Sequence, residues 1–225
     1  MTDQILINEF HGQKFYFNDT KDAPALIKEI FSDNYKALEK NIEFKPGDVI
    51  LDIGANEGMF SIMMAKLYPH AHVIALEPVP RTYYQLIRNI GLNGCTNIDP
   101  YNIGVGKPGQ KTTMLNVSKD FSGGSTSMCE YNPDHHDKTE VGLISLDEAF
   151  ELYGIDRCRL LKMDIEGAEY DALYPSTVLS RVDFMTFECH SNHRLEFLGR
   201  RMDGLVTWVS NKTQLIHVEL VKMAE

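Results

Sequence analysis

The sequence lacks paired cysteines, long apolar runs and an excess of basic residues. Its four cysteines, Cys95, Cys129, Cys158 and Cys189, form no Cys-x-x-Cys pair, so we expect reduced thiols in a cytosolic protein and neither a disulfide framework nor a zinc site. No apolar run approaches the roughly 18 residues of a membrane span, and the stretch MTDQILINEF lacks the basic start of a signal peptide. The formal net charge of −10 argues against nucleic acid or an anionic membrane as a partner, because both bind basic surfaces.

Strand-like and helix-like segments alternate along most of the 225 residues, a length that suits one large α/β domain with a short extension. The buried-strand patterns are VILDI at 49–53, HVIALE at 72–77, NIDPYNIGV at 97–105, RLLKMDI at 159–165 and VDFMTFEC at 182–189. This alternation predicts a Rossmann-like α/β fold, with a mostly parallel seven-stranded sheet and an antiparallel C-terminal strand. We expect a strand and helix extension over residues 1–44 and the main domain over 45–225.

The stretch DIGANEG follows the first of these strands and predicts a tight turn into a helix. A dinucleotide-binding turn reads Gly-x-Gly-x-x-Gly, and here Asn56 and Met59 occupy two positions where that pattern needs glycine. The observed spacing, acid-x-Gly-x-x-x-Gly, is instead typical of enzymes that use S-adenosylmethionine; a strand-to-helix turn with incidental glycines is the alternative. The turn residues expected to bind the methionine end of the cofactor are Asp52, Gly54, Ala55, Asn56 and Gly58.

Polar residues also follow the second and third predicted strands. Glu77 and Pro78 end the second strand, and an acid about 20 residues after the glycines suits a bidentate hydrogen bond to ribose hydroxyls. NAD-binding proteins use such an acid too, so only the glycine spacing separates the two cofactors, and a solvated strand end is the alternative. Asn102 and Ile103 end the third strand, where an amide and an apolar wall suit the edge and the face of adenine.

Charged residues cluster after the fourth and fifth strands, in KMDIEG and FECH. Glu188 and His190 share a face of their strand, and His190 is a candidate general base for an acceptor hydroxyl because imidazole titrates near neutral pH. Alternatively, Asp164 and Glu188 hold a divalent cation that activates the hydroxyl, or Lys162 forms a purely structural ion pair with one of the acids. The candidate catalytic residues are therefore His190, Asp164, Glu188, Lys162 and Glu166, and Met163 and Asp164 are also expected to contact the cofactor.

Four blocks of the chain resemble the FkbM-type methyltransferases. They are DVILDIGANEGMFSIMMAK, VIALEPVPRTYYQLIRNI, ISLDEAF and RLLKMDIEGAEYDAL, and FECH is similar to the end of that family's fifth strand. The likeness covers roughly residues 30–192 in the family's order. It implies a class I methyltransferase fold and methyl transfer from S-adenosylmethionine, usually to a hydroxyl oxygen. It also implies that the turn 52–58 and Glu77 bind the cofactor and that residues 162–166 face the reaction centre.

We therefore expect a cytoplasmic S-adenosylmethionine-dependent O-methyltransferase that acts on a small molecule or sugar, without a resident metal. An NAD-dependent oxidoreductase and a non-catalytic nucleoside-binding protein on the same fold are the alternatives. Two features depart from the family pattern. Glu57 stands where the family often has a small apolar residue, and the histidine-rich loop around residues 132–138 has no counterpart in the family pattern. Residues 107–144, which include this loop, interrupt the alternation of strands and helices. We expect this inserted segment to lie near the acceptor site.

Overall fold

The computed structural model describes residues 4–31, 38, 41–119, 132–189, 209–213 and 215–222, without side chains at 188–189 and in the last two segments. The strands are β1 (Ile5–Phe10), β2 (Gln13–Asn18), β3 (Val49–Ile53), β4 (His72–Leu76), β5 (Ile98–Tyr101), β6 (Gly104–Gly106), β7 (Thr112–Ser118), β8 (His136–Ser145), β9 (Cys158–Met163), β10 (Val182–Cys189), β11 (Val209–Thr213) and β12 (Leu215–Lys222). The helices are α1 (Ala23–Ile30), α2 (Met59–Leu67), α3 (Pro80–Asn93), α4 (Leu146–Leu152) and α5 (Glu169–Leu173), with a 3₁₀ turn at Val178–Arg181.

The main sheet has seven strands in the order β11-β12-β10-β9-β3-β4-β5. The pairs β10–β9, β9–β3, β3–β4 and β4–β5 are parallel, and β12 is antiparallel to both of its neighbours. The predicted mostly parallel sheet with an antiparallel C-terminal strand is thus confirmed. Because the parallel strands end at one edge, the residues that follow β3, β4 and β9 come together there.

Two apolar cores cover the two faces of this sheet. Along each central strand, successive side chains point to opposite faces. Ile50 and Val73 belong to one core, which also holds the buried side of α2, whereas Leu51 and Ile74 belong to the other, which holds α4. Burial on both faces explains why these strands read as continuous apolar runs rather than as alternating ones.

The N-terminal hairpin and helix α1 pack onto the first of these cores. Strands β1 and β2 pair antiparallel around Gly12. Phe15 and Phe17 of β2 are fully buried against the core. The amide of Asn89 in α3 holds the end of β2, because its Oδ1 accepts hydrogen bonds from Asn18 N at 2.9 Å and Asn18 Nδ2 at 3.0 Å.

Strands β6, β7 and β8 build a second sheet with the order β6-β8-β7, in which β6 is parallel and β7 antiparallel to β8. Helix α4 begins directly after β8 with a capping box. Ser145 Oγ accepts from Glu148 N at 3.2 Å, and Glu148 Oε2 accepts from Ser145 N at 2.7 Å. This box satisfies two N–H groups at the start of α4.

Two predicted strands end earlier in the structure than the apolar pattern indicates. The strand expected over 97–105 stops at Tyr101 and resumes as β6, because the intervening Asn102 turns its amide onto the end of β4. The strand expected over 159–165 stops at Met163, and Asp164 N then donates to Ile53 O at 3.0 Å. Both endings place polar groups at the edge of the sheet.

The sequence patterns at residues 23–40 and 193–202 each predict a helix, and these two segments lie partly or wholly outside the described residues. The helix expected over 23–40 is seen as α1 up to Ile30, and residues 32–37 and 39–40 are not described. The helix expected over 193–202 is also not described. Among the helices that are, none is long and apolar enough to cross a bilayer.

Candidate functional site

A cavity of about 530 Å³ opens at the edge where the parallel strands end. Its floor is formed by the residues that follow β3, β4 and β9. Helix α1 forms one wall, and strands β6, β7 and β8 of the second sheet form another. The volume is within the range of about 300–1,000 Å³ that small-ligand sites occupy.

The glycine turn after β3 approaches the end of the neighbouring strand β9 so closely that no side chain fits at Gly54. Gly54 has a φ of +79°, and a Cβ there would lie 1.9 Å from Asp164 O. Gly58 begins α2 with a φ of +88°, and a Cβ there would lie 2.4 Å from Leu86 Cδ1. Both positions therefore favour glycine for conformation, and Gly54 also requires it for space, because the atom that a Cβ would meet there belongs to the backbone. The turn, which forms part of the cavity floor, is thus packed closely against the residue that follows β9.

Asn56 lies at the top of this turn in the left-handed region, with a φ of +52°. It lines the cavity, and its Oδ1 is buried without a hydrogen-bond partner among the residues that the structure describes. A buried, unpaired amide oxygen costs free energy unless a ligand or water donates to it. Ala55, also buried, lies beside it on the cavity wall.

Asp52 is completely buried and lies behind the wall of the cavity rather than in it. Ser61 Oγ donates to Asp52 Oδ2 at 2.6 Å, and Lys162 Nζ lies 3.3 Å from Asp52 Oδ1. This carboxylate therefore lies outside the cavity lining. The ion pair of Asp52 with Lys162 agrees with the structural alternative for this lysine, in which it pairs with one of the acids.

Lys162 connects the ends of β3 and β9. Its Nζ donates to Gly54 O at 2.8 Å and lies 4.0 Å from Asp164 Oδ2. Burial alone would lower the pKa of Lys162, but Asp52 and Asp164 outweigh it and raise that pKa. Lys162 is thus a fixed cation that holds the Gly54 carbonyl and faces the cavity.

Glu77 presents a buried carboxylate to the cavity at the end of β4. Its Oε1 accepts from Val79 N at 2.8 Å, and its Oε2 accepts from Asn56 N at 3.0 Å. Burial raises the pKa of Glu77 to about 7, although these two hydrogen bonds and Lys162 oppose the shift. The bond from Asn56 ties the carboxylate to the glycine turn, so the two predicted cofactor-binding features form one unit.

The predicted adenine region divides into residues inside and outside the cavity. Pro78 lines it, whereas Asn102 and Ile103 do not. The exposed Asn102 donates from Nδ2 to the carbonyl oxygens of Glu77 and Pro78, each at 2.9 Å. Its amide thus fixes the end of β4, and the next strand, β6, supplies the wall at this level.

The segment after β9 turns sharply under the cavity. Glu166 adopts a φ of +53°, and Glu169 Oε1 accepts from Ile165 N at 3.3 Å and from Gly167 N at 3.1 Å. This arrangement holds Asp164 and Glu166 on the cavity wall. Met163, by contrast, is fully buried in the core beneath them.

The remaining predicted catalytic groups lie outside what the structure describes. His190 is not described, and Glu188 is described in its backbone only. Among the described residues, no group of three or more His, Cys, Asp and Glu side chains is placed to hold a metal ion. The base and the cation alternative therefore both stay predictions.

Two walls of the cavity were not predicted residue by residue. Helix α1 contributes Leu26 and Ile30, whose apolar spacing in the sequence indicates only a packed helix face. Strands β7 and β8 contribute Leu115, Val141 and Leu143, among others. The sequence signal for this second wall is the interruption at 107–144, which marks the segment but not its inward-facing residues.

Residues 52–213 match the Methyltransferase FkbM domain family. Methyltransferase 1 of Beauveria bassiana is 29% identical over 170 residues, which are 68% of this chain and 66% of that protein. Methyltransferase sdnD of Sordaria araneosa is 29% identical over 187 residues, 71% of each chain. The 31-O-demethyl-FK506 methyltransferase FkbM of Streptomyces tacrolimicus is 27% identical over 173 residues, 66% of each chain. This chain thus spans about two thirds of the length of these relatives.

Solved structures resemble the chain in fold. A protein of the NADB-Rossmann superfamily from Streptococcus agalactiae gives a TM-score of 0.51 at 14% identity, over 85% of this chain and 68% of that chain. An uncharacterized protein from Listeria monocytogenes gives 0.51 at 12% identity, over 86% and 68%. At these identities the likeness concerns the Rossmann-like fold and not the function.

Proposed function

The chain belongs to the FkbM family of S-adenosylmethionine-dependent methyltransferases, and we propose that it transfers the methyl group to a hydroxyl oxygen of a small molecule or sugar. The proposed position of the cofactor in the cavity rests on one observation. The buried Glu77 carboxylate is fixed by Asn56 N at the glycine turn, where it is positioned to accept two hydrogen bonds from vicinal hydroxyls of a ribose. The oxidoreductase and binding-protein alternatives are not favoured by the family match.

The residues that line the cavity are suited to S-adenosylmethionine. The cradle at Gly54 leaves no room for a side chain, and Asn56 Oδ1 is a buried acceptor that needs a donor. We propose that Gly54, Ala55 and Asn56 hold the amino-acid end, Glu77 the ribose, and Pro78 the adenine face. Asp164, rather than the buried Asp52, is then the acid nearest to the ammonium group. When bound, S-adenosylmethionine supplies an electrophilic methyl group on a positively charged sulfur.

The second sheet is the proposed wall of the acceptor site. Its cavity-facing side combines the apolar Leu115 and Val141 with the polar Thr113, Gln110 and Lys107. Because a cavity of about 530 Å³ must hold both the cofactor and the acceptor, a small acceptor is favoured. This arrangement suits a molecule with one apolar face and several hydroxyl groups.

A hydroxyl acceptor must lose its proton to become a good nucleophile, and His190 remains our proposed base. Strand β10 runs parallel to β9 with Phe187 opposite Met163, so both strands lead to the same edge of the sheet. Asp164 and Glu166, on the cavity wall beside this edge, are proposed to position the acceptor and to favour the sulfonium charge. A divalent cation held by Asp164 and Glu188 is the alternative way to activate the hydroxyl.

The test is a methyl-transfer assay with labelled S-adenosylmethionine and a panel of sugars and small hydroxylated metabolites. We expect an O-methyl product, identified by mass spectrometry and by the methoxy carbon shift in NMR. Glu77→Ala should abolish the product, and Leu152→Ala, at an exposed side chain away from the cavity, should leave it unchanged. A product methylated on nitrogen or carbon would contradict O-methylation while leaving the methyltransferase assignment intact.

We also propose a cytoplasmic location and no nucleic-acid partner. Cys95 and Cys158 are both free thiols, as expected in a reducing compartment. The net charge of −10 opposes binding to a polyanion. An absence of product with RNA as the acceptor, in the same assay, is the expected result.

A further inference from the structure

Glu57 departs from the family pattern, and the structure gives it a definite partner. Its side chain is 3% exposed, although it follows directly after the cavity residue Asn56. Thr20 Oγ1 lies 2.9 Å from Glu57 Oε1 and 2.8 Å from Oε2, so the hydroxyl donates to this carboxylate. A hydrogen bond from a hydroxyl to a buried carboxylate is among the stronger ones in proteins.

The same hydroxyl also begins helix α1. Thr20 Oγ1 accepts from Ala23 N at 3.1 Å, which satisfies one of the N–H groups left without a partner at the start of a helix. Helix α1 carries Leu26 and Ile30 into the wall of the cavity. Through Thr20, the helix that covers the cavity is therefore joined to the glycine turn that forms its floor.

A second hydrogen bond holds Glu57 from the other side. Asn89 Nδ2 in α3 donates to Glu57 O at 2.8 Å, and Asn89 Oδ1 accepts from both nitrogens of Asn18. Asn89 is completely buried. The backbone carbonyl of Glu57 is thus held by α3, and its side chain holds the segment that leads from β2 into α1.

From these contacts we propose that Thr20 and Glu57 are positioning residues that seat helix α1 over the cofactor cavity. The pair lies outside the cavity lining and acts through Leu26 and Ile30. Losing the hydroxyl frees the start of α1 from the glycine turn, so the cavity wall opens more often and a bound nucleoside is released more easily. The affinity part of this proposal rests on the proposed cofactor site, whereas the seating of α1 does not.

The test compares Thr20→Val with Thr177→Val. Thr177 Oγ1 also donates to a carboxylate, Asp147 Oδ2, at 2.5 Å, but it lies on the surface away from the cavity. Both variants lose one hydroxyl-to-carboxylate bond. We expect Thr20→Val to weaken S-adenosylhomocysteine binding about tenfold and Thr177→Val to leave it within about twofold. Thr20→Ser, which keeps the hydroxyl, should restore wild-type affinity.

Hydrogen–deuterium exchange measures the seating of α1 without any ligand. Peptides that cover residues 23–30 should exchange about tenfold faster in Thr20→Val than in the wild type or in Thr177→Val. Equal exchange in all three proteins would overturn the proposal, even if wild-type ligand binding also failed. If Thr20→Val does not fold, Glu57→Asp breaks the same bond from the other side, and unchanged exchange in that variant would likewise overturn it.

Discussion

Replacing Gly54 with alanine tests the closeness of the glycine turn to the end of β9. Gly54 follows the C-terminal end of β3, and its added Cβ would lie 1.9 Å from the backbone oxygen of Asp164. Gly47 precedes the other end of the same strand with a φ of +87°, and a Cβ there meets nothing within 4 Å. The two substitutions therefore differ in the steric overlap and hardly in backbone conformation.

The magnitude follows from these two contributions. A left-handed conformation costs an alanine roughly 1–2 kcal/mol, and this is all that Gly47→Ala should lose in free energy of unfolding. Gly54→Ala adds an overlap with a backbone atom, and forced displacement in a packed site costs about 1–3 kcal/mol more. We expect Gly54→Ala to lose about 2–5 kcal/mol in total, because neither strand end can move without breaking its pairing.

Urea unfolding and calorimetric titration measure both consequences. Gly47→Ala should bind S-adenosylhomocysteine as the wild type does. Gly54→Ala should bind it at least about a hundredfold more weakly, since the displaced turn also moves the groups that hold the ligand. If the two variants lost equal stability and both kept wild-type affinity, the close approach of the turn to β9 would be irrelevant to binding, and the reasoning would be refuted.

Three further predictions concern charged side chains. Burial raises the pKa of Glu77 to about 7 from 4.5; the folded protein without cofactor therefore holds this proton more tightly than the unfolded chain, and stability falls as the pH rises between those values. From pH 5 to 8, the wild type should lose roughly 2–3 kcal/mol of unfolding free energy relative to Glu77→Gln, and parallel pH profiles would contradict this. Lys162→Met leaves Asp52 buried without its cation and should cost about 3–5 kcal/mol, part of which Asp52→Asn in the same chain should restore. His190→Ala should lower kcat about a hundredfold or more with little change in S-adenosylhomocysteine affinity, and full activity would remove His190 as the base.

The sequence was sufficient to predict the strand ends that line the cavity. The order of strands and helices follows from apolar periodicity, and the parallel sheet then places the residues after β3, β4 and β9 at one edge. Gly54 and Asn56 could be named because the glycine spacing marks a tight turn after a strand. Glu77 could be named because it is an acid at the end of the next strand. The structure brings all three to the cavity.

That Asp52 and Asn102 lie outside the cavity lining was not predictable from the same pattern. Both follow or end a strand, as ligand-contacting residues do, yet each is bound to the protein itself. Asp52 faces Ser61 and Lys162, and Asn102 donates to two backbone carbonyls of the turn that follows β4. A spacing rule gives the position of a residue along a strand, but the direction of its side chain depends on distant partners.

The second wall of the cavity shows a related limit. Leu115 and Val141 come from strands paired across a segment that includes 120–131, residues whose structure is not described. Their inward direction depends on the register between β7 and β8, which the sequence does not specify. The residues of this second wall that face the cavity can therefore be named only when the pairing of β7 with β8 is known.

The most direct test of the central claim is a calorimetric titration of the wild-type protein with S-adenosylhomocysteine, followed by NADH under the same conditions. Our account predicts one binding site for S-adenosylhomocysteine, loss of that binding in Glu77→Ala, and no heat with NADH. The absence of S-adenosylhomocysteine binding, or tight NADH binding in its place, would contradict the account.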